Sequence, residues 1–232
     1  MAILGVHSEV GRLRHVIVHR PDLSLRRLTP DNCERYLFDD VLWVKRARQE
    51  HDIFVDALSE REVTVHRFAD LLNETMAIPQ ARDWLLDRRI DASIVGCDMV
   101  DDLRKWLDEM SPEDLATALI GGIARAELPY QPAGLAGRTL LPQDFVIPPL
   151  PNQLFTRDSS CWIYNAVSIN AMYWPARRPE TVNIEAVYRY HPMFREEGLS
   201  FISPDDAGPG VSLEGGDIMP IGGGIVLAGM GE

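Results

Sequence analysis

Cys161-Trp162-Ile163-Tyr164-Asn165-Ala166-Val167-Ser168-Ile169-Asn170 is the stretch whose reading decides the fold. Two short runs rich in β-branched and aromatic residues flank Asn165-Ala166, the pattern of an antiparallel hairpin closed by a tight turn. Downstream the period changes: between Thr181 and His191, Ile184, Val187 and Tyr188 fall on one helical face. A second hairpin follows, Asp217 to Ile221 and Gly224 to Ala228, closed around Gly222-Gly223. Strand, strand, helix, strand, strand predicts an α/β protein of small similar units, a propeller-like ring with no obvious repeat of sequence.

Upstream, Pro148-Pro149-Leu150-Pro151 enforces an extended approach to this unit, because each proline biases its predecessor away from helix. Gln131-Pro132-Ala133-Gly134-Leu135-Ala136-Gly137 is a poor helix former and is expected to return the chain to the sheet. Before it, from about Asn73 to Gln143, the chain is helical and acidic. Trp84, Leu85 and Leu86, then Val100, Leu103, Trp106, Leu107 and Met110, supply its apolar positions. Ser111-Pro112-Glu113-Asp114 reads as a helix start, with serine as cap, proline at the first helical position and an acid three residues on.

At the N-terminal end, Arg12 to Arg20 has a β-branched centre and stops at Pro21, which predicts a strand buried on both faces. From about Glu34 to Glu60, Val44, Ala47, His51, Phe54, Val55 and Leu58 form one helical stripe. Lys45, Arg48, Gln49, Asp52 and Asp56 are then expected to face water. Val63 and Val65 alternate with polar neighbours in a second strand, Glu62 to Phe68. The domain reading is a first unit over 1–72, an inserted helical subdomain over 73–142, and further units over 143–232.

Of the 232 residues, 23 are Lys or Arg and 35 are Asp or Glu, a formal net charge of −12 that speaks against a nucleic-acid partner. Hydrophobic residues make up 46%, enough for a core, and no apolar run reaches the length of a membrane span. The start, Met1-Ala-Ile-Leu-Gly-Val-His-Ser-Glu, lacks the marks of a secretory signal, so the cytoplasm is the expected compartment. Cys33, Cys97 and Cys161 are odd in number and widely spaced, which fits neither a disulfide framework nor a zinc site. No metal or cofactor is expected.

Two stretches place acids beside turn residues at strand ends: Pro151-Asn152-Gln153-Leu154-Phe155-Thr156-Arg157-Asp158, and Leu213-Glu214-Gly215-Gly216-Asp217. Carboxylates converging on a dry cleft would bind a planar cation such as a guanidinium through bidentate hydrogen bonds. The same residues also read as a turn cap and a stabilised glycine hairpin, and the spacing alone leaves both open.

Phe155-Thr156-Arg157-Asp158 with Asn152 before it, Glu214-Gly215-Gly216-Asp217, the block from Ser8-Glu9-Val10-Gly11 to Val18-His19-Arg20-Pro21, Phe38-Asp39-Asp40, Glu50-His51-Asp52 and Pro175-Ala176-Arg177-Arg178 together resemble the arginine deiminases. The resemblance runs through nearly the whole chain and is weakest in the helical insert. It implies a pentein-type five-unit α/β propeller, incomplete here, with an inserted α-helical subdomain. It also implies hydrolysis of L-arginine to L-citrulline and ammonia through a thiouronium intermediate on a cysteine.

On the resemblance, Asp158 binds the substrate guanidinium and Phe155 packs on its flat group, while Asn152 and Arg177 hold the α-amino-acid end. Glu214 would share in guanidinium binding and position a catalytic histidine. The family's histidine motif and nucleophilic cysteine fall beyond Glu232, and none of Cys33, Cys97 or Cys161 replaces the nucleophile. The expectation is an isolated chain that holds substrate-binding residues and is inactive alone. A second polypeptide, or self-association through Ile225, Val226 and Leu227, would complete the ring. The alternatives are a non-catalytic guanidinium-binding or regulatory module derived from a deiminase, and another guanidino-group-modifying enzyme of the same superfamily.

Overall fold

The computed structural model describes residues 4–132, 134–202 and 211–229. Its first unit is strand, helix, strand. β1 (His15–Val18) leads through a short helix α1 (Leu23–Arg26) and a 3-10 turn at Glu34–Tyr36 to α2 (Val44–Ser59), and β2 (Thr64–Arg67) returns parallel to β1 with Val16 opposite Val65. The parallel pairing follows from the intervening helix, which is long enough to carry the chain back to the same end. β1 is less buried than its sequence predicts: His15 is exposed, Val16 and Ile17 are half-covered and only Val18 is buried, in a sheet of two strands among the described residues. The stripe on α2 is also shallower than predicted. Val44 is buried, Ala47, His51, Val55 and Leu58 are half-covered, and Phe54 is exposed. Arg48 and Asp52 do not face open water. Asp52 takes a bidentate ion pair from Arg20, and Arg48 reaches Asp22 and the Pro21 carbonyl.

A helical region follows: α3 (Phe68–Met76), α4 (Pro79–Arg89), α5 (Ala92–Val95), α6 (Val100–Asp108) and α7 (Pro112–Gly121). α7 starts as its sequence predicts. The Ser111 hydroxyl accepts the Asp114 N–H at 3.1 Å, and Pro112 occupies the first turn, where no intrahelical donor is needed. β3 (Ile123–Ala124) then pairs antiparallel with β4 (Phe145–Ile147). Between them lies α8 (Leu135–Thr139), a short helix in the segment expected to be irregular. Phe68, Leu72, Leu85, Leu86, Leu103, Leu107, Leu115 and Leu119 are wholly buried, and they share one continuous core with Val167, Ile169, Ile184 and Val187 from the following segment.

β5 (Ser160–Ile163) and β6 (Ala166–Ile169) form the predicted hairpin, with Ile163 opposite Ala166. The turn is Tyr164-Asn165, one residue earlier than read, and Tyr164 takes the left-handed conformation at φ 54°. The asparagine keeps its place in the turn, and the register puts Val167 and Ile169 into the core. α9 (Arg178–Tyr190) and α10 (Pro192–Arg195) follow, then β7 (Ser200–Ile202), which joins β6 in parallel and had no clear mark in the sequence. β8 (Ile218–Gly222) and β9 (Ile225–Ala228) make the last hairpin, antiparallel as predicted. The architecture mixes helices with four small sheets, and among the described residues these do not join into one closed sheet. No helix of the described residues is long and apolar enough to cross a membrane.

Candidate functional site

The two acid-bearing stretches predicted from sequence meet in space. Pro151–Leu154 winds as a 3-10 turn and delivers Phe155 and Asp158 just ahead of β5; Glu214 opens the turn Gly215–Asp217 that leads into β8. Gly215 is the seam between them. Its N–H donates to the Asp158 carbonyl at 3.1 Å, and its carbonyl accepts from Arg157 Nε at 2.9 Å. A Cβ on Gly215 would lie 1.9 Å from the Arg157 carbonyl oxygen, so no side chain fits there. Asn170, at the end of β6, donates to the Asp158 carbonyl at 2.8 Å, and Thr156 ties the loop to the Ile17 carbonyl of β1 at 3.0 Å. Arg157 spans outward to the Ile218 carbonyl and to Glu9.

Into this frame α9 feeds Arg177 at its N-terminal boundary. The Arg177 guanidinium is the hub: Nη1 lies 3.0 Å from Asp158 Oδ2 and 3.4 Å from Glu214 Oε2, and Nη2 lies 3.0 Å from Glu180 Oε2. Its Nε also faces both Glu180 oxygens, at 3.2 and 3.3 Å. Nη2 approaches the Asn152 carbonyl at 3.5 Å, and the guanidinium carbon stands 6.0 Å from the Phe155 ring centroid. All five residues singled out in the sequence therefore converge, with two changes of posture. The Asn152 side chain turns away and donates to the Tyr36 carbonyl at 2.8 Å, leaving its backbone oxygen toward the site. Arg177, expected to offer its fork to a substrate carboxylate, is itself engaged by three carboxylates.

Glu180 is the site residue that the sequence reading passed over. Its side chain is 1% exposed, and its one signal was position, three residues after Arg177 at the start of a helix. Burial, reinforced by the neighbouring Asp158 and Glu214, outweighs Arg177 and pushes the Glu180 carboxyl up to about 7. Burial likewise raises Glu214, again against Arg177 and with Asp158 and Asp217 adding to it. Burial works against charge on Arg177, but the hydrogen bonds and charge of Glu180 and Asp158 hold it protonated above its ordinary range.

No thiol or imidazole is hydrogen-bonded or ion-paired to the three hub carboxylates among the described residues, although the Cys161 thiol meets Asn170 of the frame. Cys33 is buried beside the Pro30 carbonyl, Cys97 is exposed, and burial pushes the buried Cys161 thiol up, away from the thiolate a nucleophile needs. His15 pairs with His66 and His191 with Glu74, while His19 is buried and held near 4 chiefly by desolvation. Among the described residues no group of three or more His, Cys, Asp or Glu side chains could hold a metal ion.

An α/β frame that gathers Asp158, Glu180 and Glu214 around one guanidinium defines a guanidinium-binding carboxylate cluster. The family model for arginine deiminase matches residues 34–232. The chain belongs to the arginine deiminase family, and that membership supports an arginine deiminase-like hydrolase of arginine catabolism.

Proposed function

We propose that this chain carries the guanidinium-recognition part of an arginine deiminase, the pocket that takes L-arginine for hydrolysis to L-citrulline and ammonia. The observation that carries the reading is Arg177, a guanidinium held between Asp158 and Glu214 over the Phe155 ring. It has the shape and charge of the reacting end of arginine. In this reading Asp158 and Glu214 bind the substrate guanidinium and Phe155 covers its flat face, while Asn152 and Arg177, turned here to Tyr36 and to the three carboxylates, swing over to meet the α-amino-acid end. A pentein-type five-unit propeller, with 73–142 inserted between strand-bearing segments 1–72 and 143–232, belongs to the same reading. The order of small strand pairs and helices supports it.

The same reading makes the isolated 232-residue chain inactive in hydrolysis. A thiouronium intermediate requires a thiolate against the guanidinium carbon and a base to move protons. Among the described residues none of the three cysteines or six histidines is hydrogen-bonded or ion-paired to Asp158, Glu180 or Glu214, and the buried Cys161 thiol is shifted the wrong way for a nucleophile. The test is citrulline formation from L-arginine by the purified chain, expected to stay at the buffer background. Citrulline produced in proportion to protein, and abolished by Asp158→Ala, would overturn the inactivity.

A further inference from the structure

The acids around Arg177 are graded by depth. Side-chain exposure runs from 1% at Glu180 through 7% at Arg177 to 25% at Asp158 and 32% at Glu214. Glu180 lies on the floor and uses both of its oxygens on Arg177, whereas Asp158 and Glu214, nearer the mouth, give it one oxygen each. A second guanidinium, Arg89 of α4, is buried behind the floor. Its hydrogen bonds go to Asn183 and the Leu119 carbonyl, and the charge that favours its ionised form is Glu180. With all three carboxyls ionised, three negative charges stand against two resident guanidiniums and the cluster is one cation short, and the two acids that give Arg177 a single oxygen each are the more exposed ones.

We propose that Glu180 is a positioning residue of this site: it anchors Arg177 and takes up its charge, so that Asp158 and Glu214 are free to receive a guanidinium ligand, and they receive it more tightly as Glu180 ionises. This rests on the guanidinium-binding reading above and adds the residue that regulates it. When Glu180 is neutral, Arg177 has only Asp158 and Glu214 to balance it, and it competes with the ligand for both. When Glu180 is ionised, Arg177 is neutralised from below. The charged groups acting on Glu180 are Arg177 at the boundary of its own helix, Asp158 and Glu214 from the two loops, and Arg89 from α4. α3, which also packs on α9, turns Glu74 to His191 at the opposite end. Proton release on binding is the signature of this arrangement, and a purely structural Glu180 would not produce it.

The experiment is calorimetric titration of the full 232-residue chain with methylguanidinium at pH 5.5 and pH 7.5, in buffers of different ionisation enthalpy. Affinity of the wild type is expected to rise about sixfold between the two pH values, the change over this window when a nearby cation lowers a carboxyl from about 7 by about one unit. Glu180→Gln, isosteric and uncharged, should bind at pH 7.5 no more tightly than the wild type at pH 5.5, with no pH dependence. Glu180→Asp should keep the pH dependence. If Glu180→Gln, shown folded by circular dichroism, retains the rise and Glu214→Gln loses it, the proton belongs to Glu214 and the proposal is overturned. Binding that is absent at both pH values, or indifferent to Asp158→Asn, would instead overturn the guanidinium reading and this proposal with it.

Discussion

Replacing Glu180 by glutamine should make the protein more stable at neutral pH, against the ordinary expectation for a residue bonded to a buried arginine. The magnitude follows from the shift. A carboxyl moved from 4.5 to about 7 has a folded-state pKa about 2.5 units above its unfolded one, or about 3 to 4 kcal/mol at full ionisation at roughly 1.4 kcal/mol per unit. The sign is negative with rising pH. Between these values the folded state binds the proton that the unfolded state has already released, so the contribution of Glu180 is complete below about 4.5 and lost by about 7. His19 runs the other way. Desolvation lowers it from 6.5 to about 4, so its unfolded form takes up the proton first and stability rises with pH over nearly the same range. The two slopes nearly cancel in the wild type, which hides both, so the difference between variant and wild type is the quantity to follow. Urea denaturation at half-unit steps from pH 4.5 to 8 should show the Glu180→Gln variant equal to wild type at the acid end. At pH 7.5 it should be about 3 kcal/mol more stable, the cost of the buried charge having been removed. Parallel curves, or a variant less stable at pH 7.5, would mean that Arg177 fully compensates Glu180 and that the pKa reasoning is wrong.

Gly215→Ala should separate the two acid loops, because its new methyl meets the Arg157 carbonyl at 1.9 Å. A loss of about 1–3 kcal/mol in denaturation, with weaker methylguanidinium binding, is expected. Gly216→Ala, which meets nothing within 4 Å, is the control and should change neither. On β9, Ile225 and Leu227 are 55% and 53% exposed, and among the described residues no third strand joins the β8–β9 pair. Size-exclusion chromatography with light scattering should show concentration-dependent association, reduced by Leu227→Lys, which places a charge on an open strand edge. A concentration-independent monomer would remove the edge argument.

Much of this fold was legible because local signals and burial agreed. The proline and serine that start α7, the period of α9 and the hairpin β5–β6 are each set by neighbours in sequence. The misreadings share one physical cause, which is that a side chain's period does not say what packs against it. Phe54 is on the predicted stripe of α2 but is exposed. β1 looks doubly buried by composition, yet its sheet has only two strands. β7 is recruited by the edge of β6 rather than by its own three residues. In the site, Asp158 and Glu214 were marked by glycines and turn residues. Glu180 carried no such mark, since an acid in the first turn of a helix is ordinary and only the tertiary position of Arg177 makes it part of the cluster.

The central claim, that Asp158 and Glu214 form a site for a guanidinium cation, is tested most directly by calorimetric titration with L-arginine beside L-citrulline, its uncharged near-isostere. Each charge-assisted pair contributes about 1.5–3 kcal/mol when desolvated, less where solvent screens it, as it does at two acids a quarter to a third exposed. Arginine should therefore bind in the millimolar range at pH 7.5 and citrulline should not. The Asp158→Asn, Glu214→Gln double variant should lose the arginine heat. Equal heats for the two ligands, or for the double variant and the parent, would contradict the account.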